Sequence, residues 1–157
     1  MSLVAATIAD APRFARVHAA AFLDAPARAW SEREFETLLA TPGAFGFLAP
    51  KTVPAAIALA WIVGDDAELL TLAVDPEKRR RGYGRKLVEA VAEAARAGGA
   101  RRVLLEVAAD NSAARALYET ANFHRIGVRP RYYGGVDAYA LARVLGASPG
   151  QGNERGA

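Results

Sequence analysis

Residues Leu69–Leu87 read LLTLAVDPEKRRRGYGRKL, an apolar run that breaks into a basic loop holding two glycines. The run from Glu68 to Val74 has the composition of a strand, and Arg85–Ala97 sets Leu87, Val88, Val91, Ala94 and Ala95 on one helical stripe. Gly98-Gly99 stops that helix, and Arg102–Val107 returns to a β-branched and leucine-rich strand. A strand, helix and strand of these lengths require a right-handed parallel crossover. Upstream, Ala44–Ala49 and Ala55–Val63 flank a turn at Pro50–Pro54, and Gly64-Asp65-Asp66 leads into Glu68–Val74. These three strands read as an antiparallel meander. The expected class is therefore α/β in the α+β sense, a mixed central sheet with flanking helices, and not the all-parallel sheet of a dinucleotide fold.

The remaining elements extend this frame in both directions. Leu3–Ile8 reads as a first strand, followed by Asp10 and Pro12 at the start of a helix carrying Phe14, Val17 and Ala21. Ser31-Glu32-Arg33-Glu34 is a capping box for a second helix, with Phe35, Leu38 and Leu39 on its face and Pro42-Gly43 at its end. Asp110-Asn111-Ser112 caps a helix over Ala113–Ala121 that stops at Asn122. Two further strands are expected near His124–Arg129 and Ala138–Ala142. Residues 1–145 read as one domain, and the tail 146–157 has the composition of a disordered segment.

The basic loop poses a chemical question. Six of the nine residues from Lys78 to Lys86 are Lys or Arg, yet Gly82 and Gly84 sit among them. A loop that leaves a strand and opens a helix presents unpaired backbone N–H groups backed by the positive end of the helix dipole. That is an anion site, and glycine lets a phosphate approach the main chain closely. Arg79, Arg80, Arg81 and Arg85 add charge around it. The nucleoside-triphosphatase pattern G-x-x-x-x-G-K-[S/T] is absent, and the third glycine of the dinucleotide pattern G-x-G-x-x-G is missing. The plain alternative is a solvated basic turn in which Gly84 only eases helix entry.

Three other residues stand out. Alternation in RRVLLEVAADN (101–111) sets Val103, Leu105 and Val107 on one face and Leu104, Glu106 and Ala108 on the other. A carboxylate in a central strand is costly without water or a partner, so the plain reading of Glu106 is a strand-end carboxylate reaching solvent or pairing with an arginine. Tyr118, at the edge of the apolar stripe of SAARALYETANF (112–123), reads as a core-edge residue with a hydrogen-bonded hydroxyl. Asn111 is first of all a helix cap.

Composition narrows the function classes. The chain has 157 residues, 52% of them hydrophobic, and a formal net charge of +3. This is enough chain for a real core, and the charge is local, which argues against a surface that coats nucleic acid. Without cysteine there are no disulfides, thiolate nucleophiles or thiolate metal sites, and His18 and His124 stand apart, so no metal is expected. The start, MSLVAATIADAPRF, lacks the pattern of a signal peptide, and the longest apolar run (53–64) is too short to span a bilayer. A cytoplasmic location is expected.

Arg79-Arg80-Arg81-Gly82-Tyr83-Gly84 resembles the R/Q-x-x-G-x-G/A loop of the GCN5-related N-acetyltransferase (GNAT) superfamily. LLTLAVDPEKRRRGYGRKL, LLEVAADNSAARALYETANF and RPRYYGG, in that order, resemble most closely the RimI-type ribosomal-protein-alanine N-acetyltransferases. The likeness runs from about Glu68 to Leu141, and more loosely from Leu3 to Leu48. It implies a parallel strand pair splayed around acetyl-coenzyme A as cosubstrate. The pyrophosphate would rest on Arg79, Arg80, Arg81, Gly82, Tyr83, Gly84 and Arg85, and the acetyl-pantetheine arm would lie along Leu72, Ala73 and Val74. Asn111 would sit beside the cofactor, and a bulge in the strand would free an amide for the thioester carbonyl. The resemblance implies Glu106 as general base, Tyr118 as general acid, and as acceptor the N-terminal alanine of a small-subunit ribosomal protein. Trp30 and Tyr132-Tyr133 resemble aromatic positions near the peptide groove. Two departures are visible: Asn122-Phe123 replaces the usual Gly-Phe, and the segment between RPRYYGG and Ala138 is short. The alternatives are a small-molecule amine or lysine side chain as acceptor, or a non-catalytic coenzyme A-binding module.

Overall fold

The computed structural model describes residues 2–23, 29–50 and 52–146, apart from the Tyr133 side chain. The element order is β1 (Val4–Ala5), α1 (Ala11–Ala21), α2 (Glu32–Leu39), β2 (Ala44–Ala49), β3 (Ala56–Val63), β4 (Asp66–Val74), α3 (Tyr83–Ala97), β5 (Arg102–Ala108), α4 (Ser112–Thr120), β6 (His124–Tyr133) and β7 (Val136–Val144). The expected tail, from residue 147 onward, lies outside the described residues.

One seven-stranded sheet runs in the order β1-β2-β3-β4-β5-β7-β6. β1 to β4 are antiparallel, as the meander required, and β4 to β5 is the parallel step. That step is short: only Asp66↔Arg102, Ala67↔Val103 and Glu68↔Leu104 pair. Beyond it β4 stays with β3, while β5 is fully paired along its length with β7, from Arg102↔Val144 to Ala108↔Ala138. The two strands therefore part company near the middle of the sheet.

β4 carries an irregularity at the point of separation. Ala60 pairs with Leu69 and Leu59 pairs with Thr71, so Leu70 is an extra residue opposite no partner. A bulge reverses the facing of everything after it. Before it, Ala67 and Leu69 face the core under α3; after it, Leu72 and Val74 face that core while Ala73 turns to the other side.

The sheet thus separates two cores. The larger packs Leu87, Val88, Val91 and Ala95 of α3 against Ala56, Ala58 and Ala60 of β3, Val103, Leu105 and Val107 of β5, and Tyr118 and Phe123. The alanines of β3 let α3 lie close to the strands. The smaller joins Phe14 and Val17 of α1, Phe35 of α2, and Leu48, Ile57, Leu59 and Ala73 of the sheet.

Several boundaries differ from the sequence reading. The first strand shrinks to Val4–Ala5 because Ile8–Asp10 forms a short 3-10 turn. Asp10 does not cap α1 with its side chain: its carboxylate accepts from the Thr7 N–H at 2.9 Å and pairs with Arg13 at 3.2 Å. The Ser31–Glu34 capping box is formed as read, with the Glu34 N–H donating to Ser31 Oγ at 3.1 Å. α3 starts two residues early, at Tyr83, which puts Gly84 inside the first turn. β6 runs past the expected end at Arg129 to Tyr133, and a tight turn at Gly134-Gly135 returns the chain into β7. Asn122 takes the left-handed conformation (φ +68°) expected where the resemblance favours glycine.

His18 belongs to the smaller core. It is 3% exposed, stacks on Trp30 at 5.0 Å, packs tilted against Phe22 at 4.4 Å, and its Nδ1 accepts the Trp30 backbone N–H at 3.1 Å. Trp30 is thereby committed to joining α1 to α2. Burial lowers the His18 pKa to about 4, with Glu34 opposing weakly. As pH falls from about 6.5 toward 4, the unfolded chain takes up a proton that the folded one refuses, so stability is lost across that window by about 1.4 kcal/mol per pH unit. Urea unfolding at pH 7 and pH 4.5 should show this loss, and His18→Leu should flatten it while lowering stability at pH 7.

Candidate active site

Where β4 and β5 diverge they leave a cleft of about 460 Å³. Its walls come from Leu69–Leu72 of β4 and Leu105–Ala108 of β5, with Asp110, Asn111, Ala114 and Tyr118 at the α4 end, Phe22 after α1, and Val136 at the start of β7. Of the residues singled out in the sequence, Leu72, Glu106, Asn111 and Tyr118 meet here. Glu106 and Tyr118 are on separate elements and reach the same space because α4 folds back over the end of β5.

Glu106 stands on the cleft face of β5, its side chain 27% exposed, with Oε1 3.0 Å from Nε of Arg129. Pairing with an arginine, the plain alternative for this carboxylate, is therefore present, yet the residue still lines the cleft. Tyr118 is 8% exposed and packs edge-on against Phe123 at 5.6 Å. Asn111 caps α4, its Oδ1 accepting the Ala114 N–H at 3.1 Å.

The basic loop lies at the far end of β4. Asp75 turns the chain by accepting the Glu77 N–H at 3.0 Å, and a 3-10 turn at Pro76–Lys78 leads to α3. Gly82 is the N-cap of α3 in a left-handed conformation (φ +85°), and no side chain caps the helix there. The first-turn N–H groups of this 15-residue helix are thus left for an external acceptor.

The two glycines have different reasons. A Cβ on Gly82 would meet open space, so its need is conformational. A Cβ on Gly84 would sit 3.0 Å from Cδ2 of Leu117, so this glycine brings the first turn of α3 against α4. Gly82→Ala should destabilise by about 1 kcal/mol through the strained φ, whereas Gly84→Ala asks only Leu117 to yield. Thermal melts of the two variants test that order.

The arginines also divide. Arg79 ties the loop down: its Nε donates to the Val74 carbonyl at 3.3 Å and its Nη2 to the Ala21 carbonyl at 3.4 Å. Arg80, with φ +64°, and Arg81 are exposed. Arg85 lies 3.5 Å from Glu89, which is held bidentately by Arg143 of β7 at 3.0 and 3.2 Å. The Arg143 hydrogen bonds hold the Glu89 carboxyl below the usual carboxylate range. Ala73 is buried in the smaller core and Val74 packs toward the larger one, so their side chains are spent on packing and only main-chain groups are left for a ligand.

Sequence reading gave no cleft role to Phe22, Asp110, Val136 or Arg129. Nothing local marks Phe22, which arrives from the end of α1; Asp110 was read only as part of the α4 cap, and Val136 only as part of the short segment after RPRYYGG. Arg129 fits the polar phase of its strand, alternating with Ile126 and Val128, and so carried no signal of its own. Among the described residues no group of His, Asp or Glu converges as metal ligands would, and no helix is long and apolar enough to cross a membrane.

The sequence and fold match a known class. The acetyltransferase (GNAT) family is matched over residues 12–123, and the chain belongs to that family. It is 46% identical over 81 residues to the N-alpha-acetyltransferase RimI of Mycobacterium tuberculosis, covering 50% of this chain and 49% of that protein. The first curated relatives are spanned over 21% to 62% of their own lengths. The crystal structure of the ribosomal-protein-S18-alanine N-acetyltransferase from Escherichia coli superposes with TM-score 0.83 at 30% identity, covering 96% of this chain and 97% of that one. A Salmonella typhimurium structure with its cofactor acetyl-CoA has TM-score 0.78 over 94% of this chain and 95% of that one; at 18% identity this is a likeness of fold alone.

Proposed function

We propose that this protein transfers the acetyl group of acetyl-coenzyme A to the N-terminal α-amine of a protein, with the N-terminal alanine of a small-subunit ribosomal protein as acceptor. The observation that carries the reading is the cleft between the splayed strands, with a carboxylate on one wall and a phenol on another. The similarity to enzymes named for that acceptor supports the finer assignment.

The cosubstrate's pyrophosphate rests on the uncapped first turn of α3, where Gly82 to Arg85 supply backbone N–H groups and Arg80, Arg81 and Arg85 supply charge. Arg79 acts at one remove by pinning the loop. The pantetheine arm follows the main chain of Leu72, Ala73 and Val74, pairing with the edge that β4 exposes once β5 has left it. The Leu70 bulge turns a backbone amide toward the thioester carbonyl, and this polarises it. Asn111 closes the α4 end beside the cosubstrate.

An α-amine with a pKa near 8 is mostly protonated at neutral pH. Glu106 takes that proton, directly or through a water, and the amine nitrogen attacks the thioester carbon to form the C–N bond. The C–S bond then breaks, the departing thiolate takes a proton from the Tyr118 hydroxyl, and the acylated nitrogen gives up its second proton, which restores the Tyr118 phenol through water. The products are the acetylated N-terminus and free coenzyme A. Glu106→Gln should lower kcat about a hundredfold or more while leaving coenzyme A affinity nearly unchanged, and Tyr118→Phe should lower kcat with the folded state retained. Thiol release with a hexapeptide beginning Ala-Arg, set against an N-terminally blocked copy containing Lys, reads both. Release with the blocked peptide alone would move the acceptor to a lysine side chain, and full turnover by Glu106→Gln would remove the assigned base.

A further inference from the structure

Glu106 already has a cationic partner, and the geometry of that partner bears on how an amine reaches it. On β5-β7-β6, Glu106 pairs with Ala140, which pairs with Gly127; two residues on, Ala108 pairs with Ala138, which pairs with Arg129. By the two-residue repeat of strands these six share one face. Its floor is Ala108, Ala138, Ala140 and Gly127, with no long side chain standing on it. To bring Nε within 3.0 Å of Glu106 Oε1, Arg129 must reach diagonally across this floor from the neighbouring rows. It therefore lies over the surface that leads to the carboxylate.

We propose that Arg129 is a stand-in for the acceptor: its guanidinium holds the place on Glu106 that the substrate ammonium takes, and the acceptor enters by exchanging with it. This rests on the reading of the cleft as an amine-acetylating site. Two observations support exchange over a fixed clamp. Arg129 is 60% exposed, so it leaves the carboxylate for water at little cost. The β6–β7 register shifts between Arg129 and Tyr133, so the strand is not held by a regular ladder where Arg129 leaves it. Asp110, a second carboxylate in the cleft wall, keeps the site favourable to a cation after Arg129 has moved. An internal competitor reduces apparent affinity by the fraction of molecules it occupies. Exposed ion pairs are weak, so the expected factor is about two- to fivefold.

The test compares the wild type with Arg129→Gln and Arg129→Lys, using the Ala-Arg hexapeptide as acceptor. Arg129→Gln should lower the acceptor KM about two- to fivefold and leave the acetyl-coenzyme A KM unchanged, while Arg129→Lys stays near the wild type. An acceptor KM that is unchanged or raised in Arg129→Gln, or a Lys variant that behaves like the Gln variant, overturns the proposal. A wild type that acetylates no amine would instead defeat the functional reading. Exchange is then measured without turnover, by calorimetric titration of the coenzyme A-loaded proteins with n-butylammonium. Tighter binding to Arg129→Gln supports the stand-in, and equal or weaker binding overturns it.

Discussion

The structure depends on a parallel pairing that is allowed to run for only three residues. A βαβ unit would ordinarily keep its two strands hydrogen-bonded along their length. Here β5 leaves β4 after three residues, while on its other edge an antiparallel neighbour, β7, accompanies it along its whole length. The half of β4 beyond Glu68 keeps β3 on one side and has an open edge on the other. An open backbone edge inside a sheet must be satisfied by water or by a ligand, since buried main-chain polar groups without partners are costly. The cleft follows from that vacancy in the ladder, and the bulge at Leu70 fixes which way its walls face.

How far the sequence foretold this depends on the range of the interactions. Local signals were reliable: the Ser31–Glu34 box, the Asn111 cap and the Asn122 terminator are each set by neighbours a few residues apart, and the long crossover from Glu68 to Val107 followed from the order strand, helix, strand. The pairing of β7 between β5 and β6 was not legible, because it joins segments about 35 residues apart and their alternation would suit several partners. The bulge was read only through the resemblance. In DAELLTLAV (66–74) the only local mark is a doublet, Leu69-Leu70, where the alternation changes phase, and the change of face becomes plain in which core each residue joins.

The same division holds at the site. Glu106 and Tyr118 stand out in sequence because a carboxylate in a strand and a phenol on an apolar stripe each require a reason. The basic loop stood out as charge, but the structure assigns its arginines unequal tasks. Arg79 is taken up by two carbonyls, and Arg85 shares Glu89 with Arg143 from a distant strand. Charge counting cannot separate these, since the difference lies in carbonyls and carboxylates contributed by other elements.

The contact between Gly84 and Leu117 makes the two ends of the cleft into one gauge. Gly84 belongs to the first turn of α3, and Leu117 precedes Tyr118 on α4. With 3.0 Å between the place for a Cβ and the leucine methyl, the helices meet through a glycine and a branched side chain and nothing longer. The helices approach closely because the glycine leaves room for the leucine, whose side chain can turn aside by the few tenths of an ångström that one added methyl needs. A longer residue at Gly84 would exceed that allowance and press α3 and α4 apart, changing the distance from helix mouth to phenol without touching any group that does chemistry.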